Sequence, residues 1–278
     1  MSLLNELRKP SITGRGASHQ SAAPLLEITD LVLRYETGTI LDDLTFQLDS
    51  GERVAVVGPN GAGKSTLFKI IAGVVAPTSG NVKIRGSQPG GHLCIAYVPQ
   101  RTQVDWNFPV TVADVVMMGR VGKLGLLSWP KRHDWSQVSQ ALSEVGILDL
   151  AQRQIGELSG GQQQRMFIAR ALAQEAELIL MDEPLTGLDV QSQESIFHIL
   201  DDLRQRGVTV LVATHDLDQA AERFDRVLLL NRRLLGLGSP AEVFTSEKLI
   251  QAYGGHLHLL PGGDALLALT DTCCDEGE

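Results

Sequence analysis

The chain has 278 residues and a net charge of −9, with 43% hydrophobic and 21% charged residues. That balance describes a folded chain with enough apolar material for a core, and the acidic surplus argues against a broadly basic nucleic-acid-binding surface. Three cysteines, Cys94, Cys273 and Cys274, without Cys-x2-Cys spacing point to a reducing compartment with no zinc or disulfide framework, and no stretch reaches the ~18 uninterrupted apolar residues of a membrane helix.

Residues 1–24 are rich in Ser, Gly, Ala and Pro, lack a signal-peptide pattern and are expected to form a flexible leader. From Leu25 the pattern turns to alternation. Leu26–Ile28, Leu31–Tyr35, Leu44–Leu48 and Gly80–Gly86 read as half-exposed antiparallel strands. Within this region the apolar run Val54–Val57 reads as a buried strand, and Leu67–Ile71 begins a helix. Between them lies Gly58-Pro59-Asn60-Gly61-Ala62-Gly63-Lys64-Ser65-Thr66, which fits the phosphate-binding loop Gly-x4-Gly-Lys-[Ser/Thr]. Its glycines let backbone N–H groups turn toward phosphate oxygens, and the helix points its partly positive end the same way. Lys64 is expected to reach the β- and γ-phosphates, and Ser65 to ligate Mg²⁺. A plain glycine-rich turn is the competing reading. The flanking strand and helix weigh against it.

Ile95–Gln100 is a short buried strand ending at Pro99. From about residue 103 to 160 strand signals vanish. Val112–Met118 is apolar at helical spacing, and Asp134–Val145 places Trp135, Val138, Leu142 and Val145 on one helical face. A helical insertion is expected here. Trp106 and Phe108, beside Pro109, look exposed and suit a docking surface for a partner helix. Beyond the insertion, helices Gln162–Gln174, Ser192–Arg204 and Leu217–Phe224 alternate with apolar strands Leu178–Met181, Val208–Ala213 and Val227–Leu230. That order predicts a parallel sheet covered on both faces. A helical stretch is expected over Pro240–Tyr253, followed by a frayed acidic tail.

Two further stretches carry chemistry. The strand Leu178–Met181 ends in Asp182 and Glu183, placing one carboxylate to hold a Mg²⁺ shell and the next to orient and deprotonate water. Leu158-Ser159-Gly160-Gly161-Gln162 opens a helix with Ser159 as N-cap, a second end able to receive an anion. On its own that stretch reads equally as an ordinary capped helix.

Together these stretches resemble the ATP-binding cassette (ABC) transporter ATPases. Gly58–Thr66 matches their Walker A, Leu178–Glu183 their Walker B and Leu158–Gln162 their signature sequence. Gln100 resembles the Q-loop residue, Leu185-Thr186-Gly187-Leu188-Asp189 the D-loop, His215 the switch histidine and Tyr35 the aromatic A-loop residue. The resemblance runs over roughly residues 25–250. It implies an α/β phosphate-loop (RecA-like) core with an antiparallel β-subdomain and an inserted α-helical subdomain, within a cassette over residues 25–254 and a tail over 255–278.

The resemblance implies ATP and Mg²⁺ as cofactors. Glu183, His215, Lys64 and Gln100 would be catalytic. Tyr35 would stack on adenine, and Asp189 would belong to the nucleotide site. Ser65, Gln100 and Asp182 would serve the metal. Ser159, Gly160, Gly161 and Gln162 would complete the site of a second cassette, an identical chain in a homodimer. A membrane permease and an extracytoplasmic metal-binding protein would be the other partners, with the chain on the cytoplasmic face of the inner or plasma membrane and no nucleic acid involved.

The run Val98–Val112 followed by Asp114–Arg120 looks like cassettes of manganese, zinc and iron importers, the manganese branch first. Importers of chelated iron share much of that pattern and remain the alternative. DNA-repair cassettes carry long coiled coils or zinc insertions, and translation-associated factors carry two cassettes per chain; neither feature occurs here. A catalytically dead cassette is disfavoured by the presence of Lys64, Asp182, Glu183 and His215. His256, His258, Cys273 and Cys274 lack ligand-like spacing, so a metal-sensing tail is not expected.

Overall fold

A computed structural model describes residues 23–88, 94–124 and 128–254, together with two short backbone strands, Leu257–Leu259 and Leu267–Leu269, that pair antiparallel. The rest of the tail expected to fray, with His256, Cys273 and Cys274, and the leader through residue 22 lie outside the described residues.

Two sheets share one chain. β1 (Leu26–Tyr35), β2 (Gly38–Leu48) and β4 (Ser79–Ile84) form an antiparallel sheet in the order β2-β1-β4. β3 (Arg53–Val57), β5 (Ile95–Val98), β6 (Leu178–Asp182), β7 (Thr209–Thr214), β8 (Arg226–Asn231) and β9 (Arg233–Gly238) form the larger sheet, in the order β5-β6-β7-β3-β8-β9. Its first five strands are parallel and β9 closes the edge antiparallel to β8.

Period two sorts the parallel strands into two cores. Val54 and Val56, Leu178 and Leu180, Leu211 and Ala213, and Leu228 and Leu230 point into one core. Their neighbours Ala55 and Val57, Ile179 and Met181, Val210 and Val212, and Val227 and Leu229 point into the other. The first core also receives α1 (Lys64–Ile71) and the inner face of the three-stranded sheet. Leu67, Phe68, Ile70 and Ile71 of α1 are all buried there, each contributing about 1.5–3 kcal/mol by leaving water. The phosphate loop is therefore held from both sides.

The second core is covered by α5 (Gly160–Ala173), α6 (Val190–Gln205) and α7 (Leu217–Arg223), and it extends into the insertion. That insertion comprises α2 (Val112–Met118), α3 (Val121–Leu124) and α4 (Arg132–Glu144). α2 starts with a capping box in which Asp114 N donates to Thr111 Oγ1 and Asp114 accepts from Thr111 N. Arg120, buried at the end of this segment, donates to Asp134 and to the carbonyl of Ala173, tying α4 to the end of α5.

Three elements differ from expectation. β1 is one strand rather than two: Asp30, at φ +50°, makes a bulge between Ile28 and Leu31, and the pairing resumes. β9 was not expected, because its glycines and half-exposed face blur the alternation. The stretch 240–253 is two helices, α8 (Pro240–Val243) and α9 (Ser246–Tyr253), since Thr245 accepts from Lys248 N and starts a new helix.

Candidate nucleotide site

The phosphate loop joins β3 to α1. Gly63 sits at φ +100°, and a Cβ there would lie 2.5 Å from Leu41 Cδ2, so the turn into α1 tolerates only glycine. That contact also brings β2 against the loop. Tyr35 stands at the neighbouring end of the β1–β2 hairpin, paired with Gly38, its side chain 53% exposed. The loop is fastened to the sheet by Arg232 N donating to the carbonyl of Ala62.

Lys64 is buried, and its Nζ donates to the carbonyls of Gly58 (2.6 Å) and Pro59 (3.2 Å). Burial pulls its pKa below the ordinary lysine value, while Glu183 and Asp182 favour its charged form. Asp182, at the end of β6, is 2% exposed. Burial raises its pKa, and hydrogen bonds from Ser65 and Tyr97 oppose that rise. The Tyr97 hydroxyl donates to Asp182 Oδ2 at 3.4 Å, and the combined burial and negative charge push the phenol well above its usual range.

Glu183 follows Asp182 with φ +48°, in the left-handed region where a non-glycine residue is strained, and its N–H donates to Ala213 of β7. Its carboxylate gathers the neighbouring loops. Gln100 Nε2 donates to Glu183 Oε2 at 3.4 Å, and Thr186 Oγ1 donates to the same oxygen at 3.3 Å. His215 Nδ1, just past β7, stands 3.8 Å from Glu183 Oε1. Residues from five separate stretches (64–65, 97–100, 182–183, 186 and 215) thus converge at the ends of adjacent strands, where ligands of open parallel sheets bind.

The second anion-ready end is built differently. Ser159 caps α5: Gln162 N donates to Ser159 Oγ, and Ser159 N donates to Gln162 Oε1. The Gln162 side chain therefore completes a capping box. Asp189 caps α6, accepting from Ser192 N (2.8 Å) and Ser192 Oγ (2.7 Å), and Ser192 holds its carboxyl below the usual carboxylate range. No hydrogen bond or ion pair among the described residues joins residues 159–162 to residues 58–66.

Trp106 does not stand out in solvent as expected. Its ring packs edge-on against Phe167 at 5.9 Å, and its Nε1 donates to the carbonyl of Arg101. Phe108, 57% exposed, keeps the surface position. Tyr97 and Arg101 were missed, because a tyrosine in a strand and an arginine in a loop carry no pattern that announces a contact.

A glycine-bearing loop before a helix, a buried lysine and a strand ending in two carboxylates define a phosphate-loop nucleotide hydrolase. The ABC transporter family model matches residues 41–186, and the chain belongs to that family. It is 45% identical to the manganese transport system ATP-binding protein MntB of Bacillus subtilis over 84% of this chain and 94% of that one. It is 46% identical to the chelated iron transport system membrane protein YfeB of Yersinia pestis over 87% of this chain and 84% of that one. Among solved structures, an inward-facing transporter described as of metal-chelate type superposes with a TM-score of 0.74 at 34% identity, over 83% of this chain and 89% of that one. The chain is an ATP-binding ATPase of a transport system, with the cassette fold expected from its motifs.

Proposed function

We propose that this chain hydrolyses ATP to drive import of a divalent metal ion, manganese first, through a separate membrane permease. The observation that carries the ATPase assignment to named residues is the convergence of Gln100, Thr186 and His215 on Glu183, beside Asp182 and Lys64. Lys64 holds the β- and γ-phosphates, its charge kept by Glu183 and Asp182 against burial and its attraction to the phosphates strengthened by the low local dielectric. Glu183 orients the attacking water and takes its proton on a carboxylate oxygen. Gln100 and Thr186 fix the carboxylate, and His215 reaches the γ-phosphate. Tyr35 offers its exposed ring to the adenine. Backbone N–H groups of residues 58–66 cradle the phosphates.

The Ser65 hydroxyl bonded to the Asp182 carboxylate gives oxygen donors that suit a hard divalent cation, and Gln100, whose Nε2 donates to the adjacent Glu183, would add its amide oxygen. Ser65 and Asp182 would hold Mg²⁺ there, and the ion would supply charge neutralisation to the phosphate oxygens. The capped tip of α5, Ser159 to Gln162, completes the site of a second identical chain, so two ATP molecules lie between two copies. Asp189 belongs to this interface as the cap that holds its loop.

Among the described residues no helix is long and apolar enough to cross a membrane, and no cluster of His, Cys, Asp or Glu could hold a metal ion. The chain's likeness to ATP-binding subunits of transport systems supports a place at the cytoplasmic face of the membrane, with the transported ion handled by the permease and an extracytoplasmic binding protein. Relatives named for manganese and for chelated iron are equally similar, so uptake decides between them. Deleting the gene should abolish high-affinity uptake of radioactive Mn²⁺, restored by the parent chain and not by Lys64→Ala. Loss of Zn²⁺ or of chelated-iron uptake with Mn²⁺ uptake intact would replace the substrate. Full uptake of every metal tested would overturn the import reading.

A further inference from the structure

The Glu183 carboxylate and the tip of α5 belong to different nucleotide sites on the reading above, yet one chain joins them by two short arms. Both arms start at Glu183 Oε2, which accepts from Gln100 and from Thr186. The first continues one residue to Arg101, whose guanidinium donates twice to Gln163 Oε1, at 3.2 Å from Nε and 2.9 Å from Nη2. Gln163 is in the first turn of α5 and 5% exposed. The second arm continues to Leu188. The arms meet again at Gly160: a Cβ there would lie 2.7 Å from Arg101 Nη1 and 2.9 Å from Leu188 Cδ2.

The tip is therefore seated between the two loops that touch the hydrolytic carboxylate. The Arg101 link is the stronger of the two. It is a charged donor pair on a buried neutral oxygen, and the chain around it is pinned by Trp106 Nε1 donating to the Arg101 carbonyl. Sequence neighbours cannot slide independently, so a shift of Gln100 is delivered to Gln163 within one residue.

We propose that Arg101 is a positioning residue that keeps the α5 tip in register with Glu183 of its own chain, and so links the two nucleotide sites of the dimer. This rests on the cross-chain reading of Ser159–Gln162. The residue acts through Gln163 and touches no substrate.

The test uses the full chain carrying Glu183→Gln, which should hold an ATP-bound dimer. Three measurements are made on it alone, with Arg101→Ala and with Arg101→Lys: ATP binding at dilute protein, the ATP-dependent dimer constant by sedimentation, and the melting midpoint. Arg101→Ala, which loses both charge-assisted bonds to Gln163 Oε1, is expected to weaken the dimer at least about tenfold and to leave dilute-protein ATP binding within about twofold. Arg101→Lys, which keeps the charge but not the fork, should recover part of the loss. If Glu183→Gln itself forms no ATP-dependent dimer, the cross-chain reading falls and takes this inference with it. If that dimer forms and Arg101→Ala leaves its constant unchanged, only the inference is overturned. Joint loss of ATP binding and melting midpoint would make Arg101 a packing residue and would also overturn it.

Discussion

Replacing Glu183 by Gln removes a proton acceptor and almost nothing else. The side chain keeps its length, and an amide oxygen can still accept from Gln100 Nε2 and Thr186 Oγ1, which now lie 3.4 and 3.3 Å from Oε2. The fold should lose little. A positioned general base contributes about 10²- to 10⁴-fold, so its removal adds about 3–5 kcal/mol to the barrier at 1.36 kcal/mol per decade. Binding should move the other way. The Glu183 charge is one of the causes that raise the Asp182 pKa. Neutralising it leaves Asp182 more readily ionised beside Ser65, which favours a divalent cation and the nucleotide that carries it. Steady-state phosphate release and ATP binding, measured on one preparation with its melting midpoint, separate the two effects. Hydrolysis should fall at least about a hundredfold, with ATP binding unchanged or tighter. Turnover within about tenfold of the parent would refute the base assignment.

Other consequences follow from particular contacts. A Cβ on Gly161 would sit 2.6 Å from Ser192 Oγ and 2.8 Å from Ser192 Cβ, so Gly161→Ala should cost about 1–3 kcal/mol of stability by overpacking. Gly161→Ala combined with Ser192→Gly should regain part of the melting midpoint; no recovery would place the strain elsewhere. Burial pushes the Cys94 thiol up to about 11, with Glu177 adding to the shift. In a chain with Cys273 and Cys274 changed to Ser, iodoacetamide should label the native protein slowly at neutral pH and faster as the pH climbs toward that value. Rapid labelling at neutral pH would contradict the packing of β5.

The Asp134 carboxyl is held below its ordinary 3.8, first by the Lys131 backbone N–H and then by Arg120. Its folded pKa lies below its unfolded one, so its stabilisation is present above pH 3.8 and lost as the pH falls through the folded value. Melting midpoints below pH 3.8 should therefore fall more steeply for the parent than for Asp134→Asn; parallel curves would refute the link.

The sequence made local chemistry plain and left long-range packing obscure. Lys64, Asp182 and Ser159 stand in short stretches whose residue types and spacing encode a loop, a strand end and a cap. Each occupies such a place in the fold. The alternation of Val54–Val57 and Leu178–Met181 likewise sorts residues to two faces without reference to anything distant. Tyr97 is different: it meets Asp182 only because β5 pairs with β6 in the register that sets Tyr97 against Leu180, two residues short of that carboxylate. Trp106 looked exposed for the same reason, since its partner Phe167 lies 61 residues away on α5. The β1 bulge turned one strand into two, because Asp30 interrupts the alternation while the hydrogen-bonded pairing continues past it. The Gln162 and Asp189 side chains also cap α5 and α6, local bonds that the sequence reading toward the nucleotide did not include.

The most direct check on the whole scheme is a crystal structure of the Glu183→Gln chain with ATP and Mg²⁺. Two copies should face each other, with the γ-phosphate bound by Lys64 of one and by the Ser159–Gly161 amides of the other. A triphosphate enclosed by a single copy, with its own Ser159 tip on the phosphate, would contradict it.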